Sequence, residues 1–293
     1  MAHAIPELVY EMYQNSTIEE MIAATESVWD RYCNPIAFAM EADEGTDGET
    51  QKPGFGQRVM AGIKAVATFI YGIFDKIRRA GKDLMAAINR RFSPTNVYKS
   101  KVGYLTNFID YSAEYVSTLN ANGPEDLKDQ ATRNQFATKM EDIHNKFEDA
   151  RKKFSQPTTD ADKNSGVMNP RDTVNAAKKG LEKLDRSCTD ALNAAKRLEK
   201  AAGNTDKDGL AAANFIKTHA TKAAEMATSC LNAIKTVCGI TRRETDAAQR
   251  EGQKKVREME RNDAKRQREA AAAGRKAGKA ASKEGSEAEP ANA

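Results

Sequence analysis

Hydrophobic positions recur at steps of three and four along most of the chain, the spacing of an α-helix with one apolar stripe. The longest such stretch runs to Phe92. Val59, Ile63, Val66, Ile70, Ile73, Ile77, Ala80, Leu84 and Ala87 fall on one line, and Met60, Ala67 and Phe74 widen it. Phe69, Ile88 and Phe92 add apolar mass beside it, while Arg58, Lys64, Lys76, Arg79, Lys82, Asp83 and Arg90 occupy the other face. The pattern predicts one amphipathic helix over 55–92, stopped by Ser93-Pro94. Its apolar face needs a cover: its own chain, a second copy or a membrane surface. Val59, Ile63, Val66, Ile70, Ile73, Phe74, Ile77 and Leu84 are the candidate assembly or membrane face.

Two helical hairpins are expected after it. Tyr98, Val102, Leu105, Phe108, Ile109, Tyr111, Tyr115, Val116 and Leu119 form the densest aromatic patch of the chain. Asn122-Gly123-Pro124-Glu125 breaks that helix, and Leu127, Ala131, Phe136, Met140, Ile143, Phe147 and Phe154 pattern a second over about 124–154. The pair predicts a hairpin over 95–155. Residues 156–170 read as a loop from their Pro, Gly, Asn and Asp content. Val174, Ala177, Leu181, Leu184, Cys188, Ala191, Ala195 and Leu198 then form a stripe, broken at Gly203 to Asp206. Leu210, Ala213, Ile216, Ala220, Ala223, Met226, Cys230, Ile234 and Val237 form its partner, which predicts a second hairpin over 171–240. Stripes of Ala and Leu permit close helix approach.

The chain ends are polar. Ile5–Met12 and Ile18–Tyr32 predict two short helices in an acidic leader, 1–41. Ser16 or Thr17 caps the second, and Asn34-Pro35 stops it. A flexible linker follows over 42–54. Residues 241–293 contain Val256 and Met259 as their only sizeable apolar residues. They predict a solvated helix over about 242–273 and a low-complexity, disordered tail.

Composition narrows the class. Aromatic residues make up 6% of the 293 and charged residues 30%, which favours long helices packed through thin seams over two dense cores. The expected fold is all-α: elongated helical hairpins with one long amphipathic helix and a charged, partly disordered end. Charge is segregated along it. Residues 1–51 hold eleven acids against Arg31 alone, a net of −10, whereas 52–92 hold nine Lys/Arg and two Asp, a net of +7. The first block is therefore suited to shield the second.

Candidate chemistry is sparse. Cys33, Cys188, Cys230 and Cys238 lack CxxC spacing and sit in helical patterns, as small buried hydrophobes of a reducing compartment. His144 and His219 lie beside apolar faces without ligand spacing to Cys, His or acid, so no metal is expected. Asp160, Asp162 and Asn164 start like a calcium loop, but the sixth position is Ser165 and the twelfth Arg171. No GxSxG, P-loop, HExxH or GxGxxG occurs, so neither catalytic residues, nor a cofactor, nor a small-molecule substrate is expected. The N-terminus lacks the basic start and apolar core of a secretory signal. The apolar run Ala65 to Phe74 is about half the roughly 20 residues that span a bilayer. The basic residues Arg242, Arg243, Lys254, Lys255, Arg257, Lys265, Arg266, Arg268, Arg275 and Lys276 are candidate contacts to nucleic-acid phosphates. No zinc-finger, KH or RNP pattern accompanies them.

One short motif points further. Ala39-Met40-Glu41, followed by Ala42, resembles the Ala-X-Glu sites cut by prohead proteases of large tailed bacteriophages. The resemblance covers these residues and the layout of an acidic helical leader before a polar linker. It implies a virion structural or internal head protein whose leader, 1–41, is a propeptide. Such a protein would assemble in the host cytoplasm by self-association or with other virion proteins, touching packaged DNA through phosphates. The residues alone leave two alternatives: a protein of anionic membrane surfaces, or a helical scaffold or adaptor.

Overall fold

The computed structural model describes residues 20, 55–90, 97–201 and 207–241, and scattered positions from 243 to 266. The chain divides into two units, residues 1–241 and 242–293. Among the described residues the fold is all-α. The first unit contains α1 (Phe55–Arg90), α2 (Lys99–Ala121), α3 (Gln130–Ser155), the short α4 (Asp160–Asn164), α5 (Pro170–Ala201) and α6 (Lys207–Val237). Glu20 is helical and exposed. The rest of the leader and the 42–54 linker lie outside the described residues.

Local chemistry sets the helix limits. The helix expected from Pro124 starts later, because Asp126–Lys128 form a 3-10 turn that sinks Leu127 into the core. Asp129 then caps α3, its carboxylate accepting from Thr132 N at 2.8 Å and Thr132 Oγ1 at 2.7 Å. The buried Arg133 guanidinium donates to the Leu127 and Lys128 carbonyls, both at 2.7 Å, and fastens the turn to the helix. Asn169 caps α5 by accepting from Arg171 N at 2.9 Å, with Pro170 in the first helical position, where no N–H is missed. Gly239, at φ +64°, ends α6. Ile240 N donates to Lys235 O and Gly239 N to Thr236 O, a glycine stop that also buries Ile240.

The pairing of helices follows from side-chain register. Asp110 meets Lys183, Ser117 meets Asp190 and Asn120 meets Arg197, so α2 and α5 run parallel. Phe108 packs edge-on to Phe147 and Phe154 at 5.6 and 5.5 Å, so α3 runs back along α2. Tyr115 faces His219 and Phe108 O faces Cys230, so α6 is antiparallel to α2. Arg78 on α1 pairs with Asp185 on α5 at 2.9 Å. The 171–240 stretch forms two helices as expected, but they are not each other's main neighbours. α5 and α6 each pack more extensively against α1 and α2 than against one another. The reason is the wide apolar stripe of α1, which both helices are needed to cover.

That cover changes the reading of α1. Ile63, Val66, Ile70, Ile73, Phe74, Ile77 and Leu84 are no more than 2% exposed, buried within their own chain. A membrane or a second copy would reach this face only by opening the bundle. Each such side chain contributes roughly 1.5–3 kcal/mol on burial, which makes α1 a core helix. Val59 carries no described side chain. The outer face is basic: Arg79, Lys82 and Arg90 are exposed.

Residues 156–170, expected to be a plain loop, contain α4 and a buried polar node. Thr159 and Asp162 form a capping box at the start of α4. The Asp162 carboxylate also accepts from Ser100 Oγ at 2.7 Å and lies 3.6 Å from Lys101 Nζ. Lys101, itself buried, donates to the carbonyls of Lys153, Phe154 and Gln156 at 2.7, 3.3 and 2.8 Å. A cation thus satisfies the last carbonyls of α3, where the helix dipole is negative. Hydrogen bonds from Thr159 N and Ser100, with help from Lys101, hold the Asp162 carboxyl down to about 2. Lys99 N donates to Gly166 O and Met168 N to Val97 O, completing the seam between the two ends.

Two stability predictions follow from this packing. Ile70→Ala and Ile73→Ala should each lower unfolding free energy by about 2–5 kcal/mol. Tyr71→Ala, between them but 43% exposed, should cost clearly less. Urea titration of the three variants checks the contrast. Lys101→Met should cost about 3 kcal/mol, because it leaves three carbonyls without their donor and Asp162 without its nearby cation. A Lys101→Met midpoint equal to the parent's would show that the node contributes nothing.

Candidate functional site

Three described titratable side chains, Tyr115, His144 and His219, gather in the core between α2, α3 and α6. Tyr115 Oη lies 2.7 Å from His219 Nδ1. Phe215, one turn before His219, packs against its ring at 4.3 Å, and Phe136 of α3 stands edge-on at 6.4 Å. His144 stacks on Phe147 at 6.4 Å and meets Tyr115 edge-on at 6.5 Å. Its Nδ1 is buried without a hydrogen-bond partner.

Burial sets the electrostatics of this cluster. It raises the Tyr115 phenol well above its ordinary value, so the hydroxyl stays protonated. Burial, helped by the Lys222 charge, lowers His219 to about 4. In the tautomer with the proton on Nε2, Tyr115 donates to Nδ1, and the pair bolts α2 to α6. Walled by aromatic rings and already engaged, the imidazole serves as a core acceptor. The chain places Tyr115 and His219 104 residues apart, so local spacing could not pair them. The Phe215–His219 step of four was the legible signal that the ring shares an apolar face.

The cysteines follow the expectation of buried hydrophobes as far as they are described. Cys188, Cys230 and Cys238 are free and buried. Desolvation pushes the Cys188 thiol up to about 12 and Cys238 to about 11, and raises Cys230 too. Among the described residues no group of three or more His, Cys, Asp or Glu is placed to hold a metal ion. None of the described helices is long and apolar enough to cross a membrane. An open groove of about 440 Å³ lies between α2 and α5, edged by Asp172, Lys179 and the Asp110–Lys183 ion pair.

The remaining candidates lie on the surface or outside the described residues. Ala39, Met40, Glu41 and Ala42 are outside them, as are Arg242, Lys255, Arg268, Arg275 and Lys276. Arg243, Lys254, Arg257, Lys265 and Arg266 are helical and exposed in the second unit. Within the leader, Glu20 acts electrostatically on Lys76 of α1, opposing the lowering of that lysine's pKa by burial. No family model, curated protein or solved structure matches this chain.

The histidine supplies a pH prediction. Its folded value of about 4 lies below the unfolded 6.5, so the unfolded chain binds the extra proton between them. This contribution is complete above pH 6.5 and is lost as pH falls towards 4. The loss should be about 2 kcal/mol, after discounting for the part of the ring that water reaches. Asp162 titrates in a separate window, from 3.8 down to about 2. Urea midpoints for His219→Gln should be flatter than the parent's across the upper window and parallel to it in the lower.

Proposed function

We propose that the protein is a non-enzymatic structural or internal head component of a tailed-phage virion, acting through helix-mediated assembly. The observation that carries this reading is the segregation of charge between an acidic leader and a basic helix whose apolar face is already closed within the bundle. Leader residues 1–41 carry a net charge of −6, and 52–92 carry +7. The acidic leader is suited by charge to offset the basic helix, and its last residues resemble a prohead-protease site. Cleavage after Glu41 would release it, a switch made by removing a pro-segment.

Because the apolar stripe of α1 is already covered by α5 and α6, losing the leader unveils charge and leaves the core closed. Arg79, Lys82 and Arg90 would then face neighbouring virion proteins or packaged DNA without their acidic screen. At ranges under roughly 10 Å, salt screening of this exchange is incomplete. The bundle supplies a rigid body, and the charged surfaces supply the contacts.

Mass spectrometry of purified particles tests the reading. The expected result is a mature N-terminus at Ala42 with peptides from 1–41 missing. Abundant leader peptides in mature particles would remove the propeptide role, and absence of the protein from particles would remove the virion role altogether.

A further inference from the structure

Every described residue from Arg243 to Arg266 is helical. At 100° per residue, Arg243, Arg250, Lys254, Arg257, Arg261 and Lys265 fall within about 40° of one line along the helix. All six are exposed. Among the described residues, acids flank this stripe without interrupting it: Glu258 lies about 60° from its centre and Glu244 about 100°. Arg266, about 140° round, points elsewhere. From Arg243 to Lys265 the stripe spans about 33 Å at 1.5 Å per residue, close to one turn of B-form DNA.

We propose that this stripe binds the phosphate backbone of duplex DNA, laid along the helix without reading base sequence. Cations one to two helical turns apart suit the backbone of a rigid polyanion, which offers a charge every roughly 1.7 Å of axis along the whole stripe. An anionic membrane fits less well, because a helix lying in lipid needs an apolar counter-face. Met259, exposed, and Val256 are the only sizeable apolar residues of 242–293. The stripe holds arginine and lysine with alanine as its only other described member, Ala247, so binding rests on charge and register. The identity of the partner as packaged DNA rests on the virion reading above, but the affinity itself does not.

Full-length protein is titrated against short duplexes of two unrelated sequences. Affinity should be the same for both within about threefold and fall about a thousandfold between roughly 50 and 200 mM salt. Arg250→Gln, Arg257→Gln and Arg261→Gln together should weaken binding about a hundredfold near 0.1 M salt and halve the salt slope. Glutamine is as good a helix former as arginine, so helicity by circular dichroism should not change. A matched control removes three exposed charges of the bundle, Lys139→Gln, Lys152→Gln and Lys196→Gln, and should weaken binding less than about threefold. Equal losses in the two triple variants would reduce the effect to net charge and overturn the stripe. Failure of the parent protein to bind duplex, or capture by anionic vesicles alone, would overturn it as well. Particle mass spectrometry reads the virion role independently of any of these outcomes.

Discussion

The bundle hangs on the need to bring the chain back to the start of α2 before α5 begins. α2 and α5 run parallel, and two parallel helices cannot be joined by a short turn. α3 makes the return, and the Lys101–Asp162 node marks where it finishes. There a buried ammonium accepts the task of satisfying three carbonyls at the end of α3. Asp162, drawn from the connection itself, supplies its counter-charge. A buried ion pair contributes little over a well-packed apolar substitute. What this one adds is registry: it ties the first turn of α2, the last turn of α3 and the lead into α5 to a single point.

Once α5 is set parallel to α2, the rest of the packing follows from surface chemistry. Gly180 lets the two helices approach: a Cβ there would meet Ile109 Cδ1 at 2.8 Å. Ala177, Ala191 and Ala195 on α5, with Ala213, Ala220 and Ala223 on α6, are buried and keep the seams thin. Thin seams allow one helix to touch several partners. The bulky side chains sit instead on α1, α2 and α3, where Phe69, Phe74, Phe108, Tyr115 and Phe147 fill the space between. The division of labour between small and large residues explains why so few aromatic residues suffice for six helices.

Charge is handled differently in the two units. In the bundle, cations that enter the interior are matched: Arg133 by carbonyls, Lys101 by carbonyls and an acid. In the second unit the described cations stand exposed, all but Arg266 along one stripe, and the helix that carries them has almost no apolar residue to bury. A segment of that kind gains its stability from helix propensity and local ion pairs.

The sequence by itself determined that the fold of the described residues is helical, which of them face inwards on α1, α2, α5 and α6, and that Cys188, Cys230 and Cys238 are buried rather than reactive. Those properties depend on a period of 3.6 residues and on hydrophobicity, both local. It also exposed the basic composition of the C-terminal region. The tertiary structure alone decided what covers each stripe. Val66 and Ile73 display the same pattern whether the cover is lipid, a second copy or α5 and α6. It alone joined Tyr115 to His219, turned Asp162 inwards from a loop that looked solvated, and cut the start of α3 back from Pro124 to Gln130. Each of these outcomes depends on a partner far along the chain, such as Ser100 and Lys101 for Asp162. Periodicity describes which side of a helix seeks a partner, and only packing settles which partner arrives.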